Sequence, residues 1–342
     1  GGVGGVWYWN RYPGARCDSE SIYYNYTFSE ELYKEWTWSS RYPDQPEILR
    51  YLNFVADKFD LRPDIQFNTR IKRAQYDEEM NRWQIETQDG EMVSAKYFIT
   101  GVGCISTANI PNFKGLENFK GVWYHTGHWP HEKVDFTGKR VGIIGTGSSG
   151  VQAIPVIAKE AAHLTVFQRT PQYSMPARNY PYSEEEILRA KANFREMKEK
   201  VRASAGGTPV EISTRSALED TPEERERVFE EAWELGGHAL MTVYSDLLSN
   251  EEANEFAAEF IRSKIRQVVQ DPETAEKLTP TYLFATKRAI IDTDYFETFN
   301  RPNVSLVDVK KAPIEEVTPA GIRTADGEHE LDVIVFATGY DG

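Results

Sequence analysis

The chain has 342 residues, 40% of them hydrophobic, 13% aromatic and 27% charged, a mixture that excludes a disordered or fibrous protein and suits two or three domains with their own cores. A formal net charge of −14 argues against nucleic acid, whose phosphates need a basic footprint, and no run of about eighteen apolar residues is present to cross a bilayer. The two cysteines, Cys17 and Cys104, form neither a disulfide framework nor a Cys-x-x-Cys redox pair, which points to a reducing, cytoplasmic setting.

The chain opens on "GGVGGVWYWNRYPGARCD", glycines with no strand before them, the pattern of a sequence entered partway. Between Arg70 and Gly101 apolar and polar residues alternate across two turn signals, Asp77 to Asn81 and Asp89-Gly90. This predicts a three-stranded meander feeding an apolar strand, "KYFITG". Phe119 to Pro130 then reads "FKGVWYHTGHWP", in a chain with only 6 histidines. His125, His128 and His131 are spaced three apart, but Pro130 interrupts any helix that would align them. No cysteine or nearby acidic pair completes a ligand set, so no metal is expected.

Next comes "GKRVGIIGTGSSGVQAIPVIAKEAAHLTVFQRT": strand, glycine loop, helix, strand. In this loop Gly145 permits the tight turn, Gly147 lets the backbone approach a pyrophosphate, and Gly150 lets helix and strand pack closely. Thr146, Ser148 and Ser149 complete it, and the phosphates would sit on the amides at the helix N-terminus. A free ribose 2′-hydroxyl normally meets an acidic residue at the end of the second strand; here that strand ends in Arg169-Thr170. A guanidinium fork and a hydroxyl suit a 2′-phosphate, so NADP is favoured over NAD, with a plain surface arginine as the alternative.

From about Pro181 to Leu278 the chain is charged and helical, with start signals at Ser183 with Glu186, Thr221-Pro222 with Glu224, Ser249 with Glu252, and Asp271-Pro272. Its acidic runs read as solvated faces. Then "IEEVTPAGIRTADGEHELDVIVFATG" repeats the meander and apolar strand of the first part. The expected fold is therefore α/β, with two Rossmann-like dinucleotide-binding domains, each carrying a β-meander, the second with a helical insertion. The boundaries are 1–111 for a partial first domain lacking its first strand and glycine loop, and 112–138 for a linker. The second domain takes 139–180 and 279–336, the insertion 181–278, and the return linker 337–342.

Phe119, Gly121, His125, Trp129 and Pro130 spell Phe-x-Gly-x-x-x-His-x-x-x-Trp-Pro, which resembles the fingerprint of type I Baeyer–Villiger monooxygenases. "WYWNRYPGARCDSES", "WPHE", "GTGSSG", "FQRTP", "TKR" and "ATGYD" follow the family's order, most like its phenylacetone and steroid monooxygenase branch. The resemblance implies FAD and NADPH as cofactors, with a C4a-peroxyflavin, formed from O2, that attacks a ketone to give an ester or lactone. No protein partner is implied. It assigns Arg288 to stabilising the peroxyflavin and the tetrahedral adduct, and Asp18 to positioning Arg288 and contacting the nicotinamide. Lys287 joins Arg169 and Thr170 at the 2′-phosphate; Trp7, Tyr24 and Asp18 contact the flavin. The fingerprint itself belongs to linkers that move the NADP domain against the FAD domain. The family's N-terminal FAD glycine loop and C-terminal portion are absent, "YLFATKR" has alanine where relatives often place glycine, and Cys104 sits in a loop usually without cysteine. Two other readings stay open, an N- or S-oxygenating flavin monooxygenase and a non-catalytic NADP-binding module.

Overall fold

The computed structural model describes residues 1–204 and 206–341, so Gly342, the end of the expected return linker, lies outside the described residues. At its centre is a five-stranded, all-parallel sheet in the order Val304–Asp308, His163–Gln168, Arg140–Ile144, Val333–Phe336, Val122–His125. These strands read as apolar runs because both faces are covered. Their alternation divides the core in two. Val141, Ile143, Leu164, Val166, Val333 and Val335 join the larger core, which includes Val151, Ile154 and Ile157 of the helix Ser148–Glu160. Ile144, Phe167, Ile334 and Phe336 turn the other way, onto Val317 and Ile322 of the meander Ile314–Thr318, Gly321–Thr324, Gly327–Glu330. Each such side chain, wholly buried, contributes about 1.5–3 kcal/mol.

The first meander forms as expected, antiparallel through Ile71–Asp77, Arg82–Thr87 and Met92–Ala95. The apolar strand expected after it does not. Lys96–Gly101 has no strand assignment, and Tyr97 and Ile99 are 75% and 90% exposed. Its counterpart Val333–Phe336 is buried because it lies between two parallel strands. No described strand flanks Lys96–Gly101, and an extended segment without a ladder partner is not a strand.

A second difference concerns the stretch 112–138, expected as a linker. Within it Val122–His125 is the edge strand of the parallel sheet, aligned residue by residue with Val333–Phe336. Four residues are too few to show a period, so only the partner strand reveals it.

The insertion contains helices Glu184–Ala192, Phe194–Ala203, Pro222–Leu235, Glu251–Val268 and Pro272–Leu278. Ser183 with Glu186 and Thr221 with Glu224 form reciprocal capping boxes, and Asp271 accepts from Thr274 N. The start expected at Ser249 falls one residue later. Asn250 is the cap, accepting from the amides of Glu252 and Ala253, since its amide oxygen reaches orphan donors as well as a hydroxyl does.

Asp292 closes the short strand Ile290–Asp292, which runs parallel to Ser174–Pro176. Its carboxylate accepts from Ser174 Oγ at 2.6 Å and Tyr295 N at 3.0 Å. Burial dominates these bonds and pushes its pKa up to about 6. Between about pH 4 and 6 the folded chain therefore keeps a proton that the unfolded chain has lost, and stability falls as pH rises through that window. Asp292→Asn is expected to remove up to about 3 kcal/mol of this slope. Urea unfolding at pH 4.5 and 7.5 measures it; equal pH dependence in both proteins would refute the account.

Candidate functional site

The strand Arg140–Ile144 ends at Gly145, whose φ of 108° only glycine holds comfortably; a Cβ there would lie 2.4 Å from the Ala337 carbonyl oxygen. A Cβ on Gly150 would lie 2.2 Å from the Gly145 oxygen, so helix and strand touch backbone to backbone. Gly147 is different. It is the N-cap of Ser148–Glu160, has no side-chain cap, and faces open space. The helix thus starts with uncapped amides beside room for an anion, which fits a pyrophosphate. Thr146 Oγ1 donates to the Thr170 carbonyl at 3.0 Å, fastening the loop to the end of the second strand.

Arg169 is exposed beside Thr170 on that strand end. Lys287 arrives from far along the chain, its ammonium 4.9 Å from the centre of the Tyr282 ring. The Tyr282 hydroxyl donates to Gln172 Oε1 at 2.9 Å, two residues beyond Thr170.

Asp18 and Arg288, separated by 270 positions, form an ion pair. Arg288 Nε donates to Asp18 Oδ2 at 3.1 Å, and its Nη2 bonds the same oxygen. The hydrogen bond and charge of Asp18 raise the guanidinium above its ordinary pKa, so it stays cationic. The arginine side chain is nevertheless 70% exposed, and the carboxylate 22%. A fixed positive charge at an open surface can bind or stabilise a developing anion. Neighbouring Cys17 is buried, which pushes its thiol up to about 12 and removes thiolate chemistry there at neutral pH.

Trp7 and Tyr24 meet through a 2.9 Å hydrogen bond from the indole to the phenol oxygen, with rings edge to face. Together with Gly4, Gly5, Tyr26 and Tyr51 they line a cavity of about 530 Å³. Its aromatic wall and glycine backbone fit a planar ring; Asp18 is not among the lining residues.

The fingerprint residues divide by task. Phe119 packs in the smaller core, and Gly121 fits where a Cβ would lie 2.3 Å from the Asp332 oxygen. Trp129 is buried against Tyr124 and Phe136. His125 is buried where two connections cross, its ring 6.0 Å from that of Tyr340. There Tyr340–Asp341 pairs antiparallel with Thr107–Ala108, and Asn109 N donates to the Gly339 carbonyl at 2.9 Å. His125 Nδ1 accepts from Gly127 N at 3.0 Å, which places the ring proton on Nε2, and the ring faces the backbone of Asn109 and Gly339. Burial lowers its pKa, leaving the ring neutral at pH 7. His128 and His131 are exposed, around Trp9. Among the described residues no group of three His, Cys, Asp or Glu could hold a metal.

Sequence reasoning passed over Gln152 and Asn254. Gln152, on the nucleotide-loop helix, accepts from the Tyr12 hydroxyl at 2.8 Å and donates to the Arg16 carbonyl at 3.0 Å, joining that helix to the segment before Asp18. Asn254, on Glu251–Val268, bonds the backbone of Phe284. A polar residue on a helix face carries no local sign of such a distant partner.

The profile of the pyridine nucleotide-disulphide oxidoreductases matches residues 20–229. A Baeyer–Villiger monooxygenase of Pseudooceanicola batsensis is 50% identical over 99% of this chain and 62% of its own length. A phenazine N-monooxygenase of Lysobacter antibioticus is 47% identical over 99% of this chain and 63% of its own length. Among solved structures, an oxidised steroid monooxygenase bound to NADP superimposes with a TM-score of 0.96 at 52% identity, over 99% of this chain and 65% of that one. The fold and the glycine loop define a dinucleotide-binding oxidoreductase of α/β class. The chain belongs to the pyridine nucleotide-disulphide oxidoreductase family, and over nearly its whole length it is similar to Baeyer–Villiger and steroid monooxygenases. It spans less than two thirds of the length of these three relatives.

Proposed function

We propose that the protein oxidises a ketone with NADPH, a proton and O2, inserting one oxygen atom beside the carbonyl to give an ester or lactone, with NADP⁺ and water as the other products. The observation that carries this reading is the Asp18–Arg288 pair, a permanently charged guanidinium held at an open surface. Bound FAD, reduced by NADPH, supplies the oxygen chemistry. Arg288 stabilises the negative charge that develops on the ketone oxygen, and Asp18 holds and orients Arg288. Gly145 to Gly150 seat the NADP pyrophosphate; Arg169, Thr170 and Lys287 hold the 2′-phosphate. Trp7 and Tyr24 flank the flavin ring. We take 1–111 as part of the FAD domain and 139–180 with 279–336 as the NADP domain, joined by 112–138 and 337–342, with 181–278 as insertion. No described helix is long and apolar enough to cross a membrane, and we place the protein in the cytoplasm.

Two measurements test this. With NADPH and ¹⁸O2, a panel of cyclic and aryl ketones is expected to yield esters carrying one ¹⁸O. Arg169→Ala is expected to raise KM for NADPH about 10- to 100-fold, the loss of charge-assisted bonds to a phosphate, while leaving KM for NADH unchanged. Equal effects on both cofactors would refute the 2′-phosphate role. The phenazine N-monooxygenase relative favours a second reading, oxygenation at an aromatic nitrogen. N-oxide formation without ester from any ketone would establish that reading instead.

A further inference from the structure

The segment carrying Lys287 and Arg288 is a short exposed arm between two fixed points. On its far side Ile290–Asp292 is paired with Ser174–Pro176. On its near side Phe284 is buried, its ring 5.4 Å from Tyr173. Between them the chain turns through Ala285 at φ 63°, a conformation that costs a non-glycine residue, and Thr286, Lys287 and Arg288 are all exposed. Thr286 ties the arm back to the Leu283 carbonyl, through its amide and, at 2.8 Å, its hydroxyl; beyond that turn the guanidinium depends on the arm's ends and its ion pair.

The near end is clamped by a residue of the helical insertion. Asn254 Oδ1 accepts from Phe284 N at 2.8 Å, and Asn254 Nδ2 donates to the Phe284 carbonyl at 3.0 Å, so one side-chain amide satisfies both backbone groups of one residue. The same Nδ2 donates to the Leu247 carbonyl at 2.8 Å. Asn254 is buried near the start of a helix whose Ala253, Ala257, Phe260 and Ile261 are all in the core, so the clamp is mounted on a rigid element.

We infer that Asn254 is a positioning residue for Arg288 and Lys287: the insertion holds the Phe284 backbone through it, and so sets where the guanidinium and the ammonium stand. An amide is required, because the site presents one donor and two acceptors. Aspartate keeps the acceptor for Phe284 N but sets an oxygen against two carbonyls. The inference rests on the proposed oxygenation only for its catalytic consequence.

The test uses the complete natural protein with Asn254→Ala, Asn254→Asp and the control Asn250→Ala, which removes the cap of the same helix without touching Phe284. Backbone amide exchange over 284–288 is expected to rise at least about tenfold in both Asn254 variants and not in the control. In turnover with a ketone, NADPH consumption in the Asn254 variants is expected to shift from ester to hydrogen peroxide, with KM for NADPH raised. A merely structural loss would lower the melting temperature in all three and leave the peroxide-to-ester ratio alone. Unchanged exchange over 284–288, or an equal rise in the control, overturns the inference. Should the natural protein make no ester while exchange still rises selectively, the proposed oxygenation falls and the clamp stands. If Asn254→Ala does not fold, Asn254→Asp decides.

Discussion

Arg288→Ala is expected to cut ester formation by about 10³-fold while NADPH oxidation continues, its electrons ending as hydrogen peroxide. The asymmetry follows from where the side chain stands. Arg288 is bonded to Asp18 and otherwise exposed, so its removal deletes a fixed charge without opening a core. The glycine loop and the Thr146–Thr170 bond, where we propose the NADP pyrophosphate sits, do not involve Arg288. Arg288→Lys is expected to recover little of the ester yield, because a lysine cannot place two donors on one carboxylate oxygen and still present a charged edge. Stopped-flow absorbance of flavin reduction, together with ester yield, separates the steps. Parallel loss of both would mean that Arg288 acts in cofactor binding instead.

His125→Ala is expected to slow turnover with NADPH by about 10²-fold, the penalty of misplacing reactants by about an ångström, while FAD stays bound. The ring is buried at the crossing of the segment around Asn109 with that around Gly339, and its aromatic neighbour is Tyr340. Removing it leaves a void where the two connections between the halves touch. The cavity term alone destabilises the crossing rather than the cavity beside Trp7 and Tyr24, which His125 does not line. Flavin content by absorbance and the rate of flavin reduction by NADPH check this. An unchanged reduction rate would refute a role in bringing the two nucleotide units together.

Much of the glycine loop was legible because its causes are local. Gly145 and Gly150 sit where a Cβ would strike backbone, and a strand–turn–helix junction of a few residues writes that constraint into adjacent letters. The capping boxes at Ser183 and Thr221 are equally local, a hydroxyl and a carboxylate three residues apart. The edge strand Val122–His125 was not legible, since its identity comes from Val333–Phe336, a partner more than 200 positions away. The same reason explains "KYFITG": its letters state a strand, and whether it becomes one depends on a neighbour to bond with.

The sequence by itself determined the two meanders, the strand–glycine loop–helix unit, the absence of an acidic residue at Arg169-Thr170 and the family fingerprint. Only the tertiary structure decided that Asp18 meets Arg288, that Lys287 stands over the Tyr282 ring, that Asn254 grips Phe284, and that His125 is buried at a crossing beside Tyr340. Backbone conformation and capping are settled within a few residues, where steric exclusion and single hydrogen bonds act. Ion pairs, clamps and burial are settled by which distant segments the core brings within about 3 Å, and that is a property of the packed chain as a whole.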